Sequence, residues 1–169
     1  LSAPKNSNLK TVMDFSFFDK INIAKNEQTE TWFKGLDRVY NNFVYDFLYP
    51  NPASVLAFIE NHDTDRFLSN GDNLPMPKQA ATLLLTTRRI PQLYYGTEVM
   101  MNGTKEKTDG HVRKDFPGGW AEDKVTAFTP EGRTALQNEC YNFFKTILNW
   151  RKGNEVIAKG SMVQFMVQE

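Results

Sequence analysis

The chain has 169 residues, 40% hydrophobic and 13% aromatic, which is enough apolar material for one core of ordinary size. Its 20 Lys and Arg balance 20 Asp and Glu, so no net field draws it to nucleic acid or to an anionic membrane surface. A single cysteine, Cys140, excludes an internal disulfide and, with only two histidines, His62 and His111, argues against zinc; no stretch approaches the roughly 20 apolar residues that cross a bilayer.

Residues 1–10 are polar and read as loop. Thr11 to Phe15 reads as a strand, continued by Phe17 and Phe18. From Thr29 to Tyr49, Trp32, Phe33, Leu36, Val39, Tyr40, Phe43, Val44, Phe47 and Leu48 recur every three or four residues, predicting a helix that Pro50 and Pro52 end. Val55 to Ile59 is a buried strand. Residues 64–75 form a loop around the turn Asn70-Gly71-Asp72-Asn73, and Pro77 opens a helix through Thr87. Pro91 to Tyr95 is a further strand. Residues 100–132 carry no strong period and read as a long functional or mobile loop. Arg133 to Lys152 is an amphipathic helix holding Cys140 as a buried thiol, and Gly153 ends it. Met162 to Val167 reads as a strand opening a new β-rich unit. Strand, helix, strand, helix, strand predicts a parallel sheet with crossover helices, an α/β fold.

The apolar strand Val55–Ile59 runs straight into Asn61-His62-Asp63. Barrel enzymes place their chemistry at the carboxyl ends of such strands. On spacing alone, His62 capping a turn and Asp63 capping a helix fits as well. The wider segment favours the first reading: Phe58-Ile59-Glu60-Asn61-His62-Asp63-Thr64-Asp65-Arg66 resembles the seventh-strand motif of the α-amylase superfamily of glycoside hydrolases, Phe-x-x-Asn-His-Asp-Thr-x-Arg. Ile90-Pro91-Gln92-Leu93-Tyr94-Tyr95-Gly96-Thr97-Glu98 resembles the eighth-strand motif, with Arg89 in place of the usual leading Gly. Val112-Arg113-Lys114-Asp115-Phe116-Pro117-Gly118-Gly119-Trp120 resembles the following loop in the neopullulanase and cyclomaltodextrinase branch.

The resemblance implies a partial (β/α)8 TIM barrel, because a whole one needs about 250 residues. Residues 1–153 would supply strands six to eight and their helices, and residues 154–169 the first strand of a C-terminal β-sandwich. It implies a fragment of an α-glucan hydrolase that cleaves α-1,4 bonds, with some α-1,6 action, with retention. Retaining chemistry uses two carboxyl groups. The family's nucleophile and acid/base sit on strands four and five, upstream of Leu1, so the fragment alone is expected to be inactive. Asp63 matches the third carboxylate, a transition-state stabiliser, and His62 the histidine that donates to the same sugar. A non-catalytic carbohydrate-binding barrel of the same descent is the alternative.

Other residues keep two readings each. Asn61 braces the turn or meets substrate, the brace being favoured. Arg66 pairs with Asp63 or Asp65, or is solvated, in a supporting role. Asp65 and Glu60 read as surface or cap charges. At least one of Tyr94 and Tyr95 packs at the barrel rim, with Tyr95 supporting the site, and Glu98 orients neighbours from behind. Arg113, Asp115, Phe116 and Trp120 border the cleft; Trp120 is a sugar platform or, the favoured reading, packs on the barrel. Asp14 is structural by default. Asp109, Asp115 and Asp123 lack calcium-loop spacing, so no metal and no cofactor is expected. The expected partner is an α-glucan, with no nucleic acid and no membrane, and a partial barrel's open edges favour self-association. Periplasmic, secreted and cytoplasmic locations all stay open.

Overall fold

The computed structural model describes residues 9–27, 33–68 and 74–165. Two short strands, β1 (Leu56–Phe58) and β2 (Ile90–Gln92), pair in parallel, with Leu56 opposite Ile90 and Phe58 opposite Gln92. On the other side of β1, Met13 forms a parallel bridge to Leu56. The Leu56 amide donates to the Val12 carbonyl at 2.9 Å and the Asp14 amide to the Leu56 carbonyl at 2.8 Å. β1 is therefore the middle of three parallel segments, and all three end at the same edge.

The expected strand through Phe17 and Phe18 is instead a helix, α1 (Phe15–Ala24). The cause is local: the Asp14 carboxylate accepts the Phe17 amide at 2.9 Å and caps the first turn. Helix α2 covers Leu36–Val44 and tightens into a 3-10 turn at Tyr45–Leu48. It starts later than the apolar period suggests because Phe33 (φ 67°) and Gly35 (φ 58°) hold non-helical backbone just before it. The earlier part of that expectation, residues 28–32 with Trp32, lies outside the described residues, as does the turn at 70–73. Helix α3 (Pro75–Thr86) carries proline in its first turn, where no amide donor is missed. The one-turn helix α4 (Asp109–Val112) lies in the long loop and is capped by Thr108.

Helix α5 (Ala135–Gly153) opens on a capping box: Thr134 accepts the Gln137 amide and Gln137 accepts the Thr134 amide. The helix runs through Gly153, and Asn154 then caps a short helix, α6 (Glu155–Lys159). No strand is formed over 162–165, and 166–167 lie outside the described residues.

The core has two parts that meet at α3. Ala80 and Leu84 pack with Phe17 and Ile21 of α1, Val39 of α2, and Ala57 and Ile59 around β1. Ala81 and Leu85 pack with Met100, Cys140 and Phe144 of α5. Strand alternation sends Phe58 to the opposite face from Ala57, where Phe18 stacks on it at 5.2 Å and Phe15 meets it edge-on at 5.1 Å.

Arg89, in place of the motif's glycine, reaches two buried carboxylates, Asp14 and Asp46, and Asp46 also binds Arg88. Burial lowers the Arg89 pKa to about 10. Arg151 of α5 donates to the carbonyls of Leu85 (2.6 Å), Thr87 (2.8 Å) and Arg89 (2.8 Å), which satisfies the open end of α3. These contacts fix the strands that carry the site.

Candidate active site

At the common edge, β1 leads into a tight turn. The Asn61 side-chain oxygen accepts the Asp63 amide at 2.8 Å, and the Asn61 amide donates to the Thr64 hydroxyl at 2.9 Å. Asn61 is buried and its side-chain oxygen serves this brace. The turn turns His62 and Asp63 outward, with Nε2 and Oδ2 3.1 Å apart and side chains 61% and 60% exposed.

The other Asp63 oxygen accepts Arg113 Nη2 at 2.9 Å, while Arg113 Nε donates to the His62 carbonyl at 2.9 Å. Arg113 also pairs with Asp109 at 3.1 Å, one helical turn back. Lys105 completes the cluster: its Nζ donates to the Asp63 carbonyl at 3.1 Å and pairs with Asp109 at 3.3 Å, and its amide donates to Asp65 at 2.6 Å. Lys105 and Asp109 were not picked out as site residues from the sequence. The regular 105, 109, 113 spacing of alternating charge was the signal that could have found them.

Arg66 does not pair with Asp63 or Asp65 and is not solvated. It is 1% exposed, donates from Nη1 to the Tyr95 carbonyl at 2.6 Å and to Glu60 at 3.4 Å, and from Nε to the Val112 carbonyl at 3.0 Å. Its guanidinium lies over the rings of Tyr94 (4.0 Å) and Tyr95 (4.8 Å). Glu60, expected as a surface or cap charge, is buried too, and burial raises its pKa above the ordinary value.

Tyr94 follows β2 and is half-buried; burial, then the adjoining Tyr95, pushes its hydroxyl up to about 12. Tyr95 is exposed and donates to the Lys114 carbonyl at 2.7 Å, tying the turn after β2 to the long loop. Gly96 turns the chain here at φ 84°. Glu98 faces the other way, onto Tyr141, Lys145 and Leu148 of α5, rather than towards Asp63.

Trp120 is 62% exposed, so it does not pack into the core; its indole N–H donates to Asp115 at 3.0 Å and its amide to Asp123 at 3.2 Å. Phe116 packs on Phe128 at 4.7 Å. Asp14 is the buried cap of α1. The structure thus gathers Asp63, His62, Asn61 and Arg113 into one cluster with Lys105 and Asp109, sets Arg66 and Tyr95 directly beneath it, and leaves Trp120 in its own loop and Glu98 on the α5 side. Among the described residues no three His, Cys, Asp or Glu side chains converge as a metal site, and no helix is long and apolar enough to cross a membrane.

Chemically, the turn presents the Asp63 carboxylate between an imidazole and a guanidinium, with the exposed Asp109 carboxylate paired to Lys105 and Arg113 beside it. That suits the paired hydroxyls of a neutral sugar.

Comparison with known proteins agrees with this geometry. Residues 4–160 match the family described as "Alpha amylase, catalytic domain". The chain is 30% identical over 154 residues to a cyclomaltodextrin glucanotransferase from Thermoanaerobacterium thermosulfurigenes, covering 91% of this chain and 19% of that protein. It is 29% identical to an α-amylase from Niallia circulans, covering 91% of this chain and 25% of that protein. The chain thus spans about a fifth to a quarter of these relatives. Among solved structures, an α-amylase from Geobacillus thermoleovorans in complex with acarbose superposes with a TM-score of 0.67 at 22% identity, covering 89% of this chain and 30% of that one. A cyclomaltodextrinase superposes with a TM-score of 0.60 at 19% identity, covering 87% and 22%. A parallel strand that delivers Asn61, His62 and Asp63 to its carboxyl edge, within a match that runs nearly end to end, places the chain in the α-amylase catalytic-domain family.

Proposed function

We infer that this chain is the C-terminal part of the catalytic (β/α)8 barrel of a longer α-glucan hydrolase of the neopullulanase and cyclomaltodextrinase kind. Residues 1–153 belong to the barrel, and 154–169 lead into a following β-domain, with α6 as the link. The observation that carries the reading is the exposed His62–Asp63 pair at the carboxyl edge of the central parallel strand.

In this reading Asp63 accepts hydrogen bonds from hydroxyls of the sugar being cleaved. It does so most strongly as the ring flattens and gains positive charge, which lowers the barrier rather than merely binding substrate. His62 donates to the same sugar. The negative charge at Asp63 also favours the protonated form of a nearby general acid. The nucleophile and that acid come from upstream segments, and the bond cleaved is α-1,4, with some α-1,6, with retention. The open side of the Met13 segment, with Val12, Met13 and Phe15 exposed, supports self-association of the isolated chain.

The test compares residues 1–169 with the longer protein on starch, pullulan and cyclodextrin. Reducing sugar is expected from the longer protein alone. Turnover by the short chain would overturn the placement of the missing carboxylates. Glucan binding without cleavage by the longer protein would favour a non-catalytic carbohydrate-binding barrel.

A further inference from the structure

We propose that Glu60 is a positioning residue for the glucan site: through Arg66 it sets both the Asp63 turn and the Lys105–Arg113 loop that grips it. The proposal rests on the functional reading above for its effect on turnover, but not for its mechanical part.

A carboxylate buried to 1% exposure is costly unless it is well paired. Three donors converge on Glu60: the Phe67 amide, the Thr97 hydroxyl and Arg66 Nη1. Its two oxygens accept the Phe67 amide and Arg66 Nη1, and the Thr97 hydroxyl, which also bonds the Tyr94 carbonyl at 2.7 Å, completes the shell. The Phe67 contact closes residues 60–67 on themselves, so one side chain ties both ends of the turn that carries His62 and Asp63. The Thr97 contact fixes that turn to the segment after β2.

Arg66 extends the hold to the long loop. Its amide donates to the Gly103 carbonyl at 3.0 Å and its Nε to the Val112 carbonyl at 3.0 Å, one anchor on each limb. The limbs lie so close that a Cβ on Gly103 would fall 2.3 Å from the His111 carbonyl oxygen. From this loop Lys105 reaches the Asp63 carbonyl and Arg113 reaches the Asp63 carboxylate. Asp63 is therefore supported from its own turn and from the facing loop, and both supports share the Glu60–Arg66 pair.

A buried pair that served stability alone would have the same contacts, so the test separates the two roles. In the longer protein, Glu60→Gln keeps the size but sets an amide donor among three donors. Backbone amide exchange at Arg66, Phe67 and Lys105 is expected to quicken about tenfold or more, with Phe144 of α5 unchanged. Against glucan, kcat is expected to fall about tenfold or more, with KM held within about threefold, because a small displacement of Asp63 acts on the transition state. The double variant Glu60→Gln/Arg66→Met removes the stranded charge and is expected to regain a melting temperature within about 4 °C of wild type while kcat stays low. Unchanged exchange in Glu60→Gln, or wild-type kcat in either variant, would overturn the proposal. Quickened exchange in a protein with no glucan turnover even as wild type would support the mechanical role and remove the functional reading instead.

Discussion

Asp63 Oδ1 and Arg113 Nη2 lie 2.9 Å apart across 50 residues of chain, and the same guanidinium donates to the His62 carbonyl. The turn after β1 and the loop that follows β2 thus meet at one carboxylate. Both side chains are well exposed, at 41% for Arg113 and 60% for Asp63, so solvent screens the pair. Arg113→Ala should change unfolding free energy by less than about 1 kcal/mol. In the longer protein it should lower kcat for glucan about tenfold with KM held within about threefold, because Arg113 holds Asp63 in place. Steady-state kinetics beside a urea melt checks both, and a large stability loss with unchanged kcat would contradict it.

The cluster around Arg89 behaves differently because it is buried. Removing the guanidinium leaves Asp14 with no cation and Asp46 with Arg88 alone. Arg89→Ala should cost about 3 kcal/mol or more. The urea midpoint reads this directly, and a loss below about 1 kcal/mol would mean that the cluster is solvated.

Two glutamates should respond to pH with opposite sign. Burial raises Glu60 above its ordinary 4.5, so its stabilising contribution is present below that value and fades as pH rises through the raised one. Arg38 hydrogen-bonds Glu27 and holds it down at about 2, so the Glu27 contribution is present above 4.5 and fades as pH falls towards 2. Unfolding free energies of wild type against Glu60→Gln, and against Glu27→Gln, should therefore diverge with opposite slopes in pH. Slopes of the same sign would refute this assignment.

Cys140 is buried against α3, and burial pushes its thiol up to about 11. Ellman's reagent at pH 8 should find no thiol in the folded protein and one in guanidinium. Rapid reaction of the folded state would show that the contact of α5 with α3 opens readily.

The central strand was legible in the sequence because β1 is a short buried apolar run that ends abruptly in polar groups; β2 is only partly buried and stops at Gln92 rather than Tyr95, so its end was not legible. Helix α5 was legible to within two residues because its apolar period is long and its capping residues are explicit. Helix α1 was misread because Phe15, Phe17 and Phe18 look like a buried strand, and only the cap at Asp14 reveals a helix. In the site, the outward pair His62 and Asp63 stood out. The depth of Glu60 and Arg66 did not, because two charged residues in a polar run look solvated until their partners, Thr97, Tyr95 and Val112, arrive from over 25 residues away. Glu98 followed the motif in sequence but faces α5, since the left-handed turn at Gly96 redirects the chain.

The role proposed for Asp63 is contact with the reacting sugar. Asp63→Asn in the longer protein, assayed on a soluble α-1,4 glucan, tests it most directly. A fall in kcat of about a hundredfold or more is expected at nearly unchanged melting temperature. A variant that keeps wild-type kcat would contradict it.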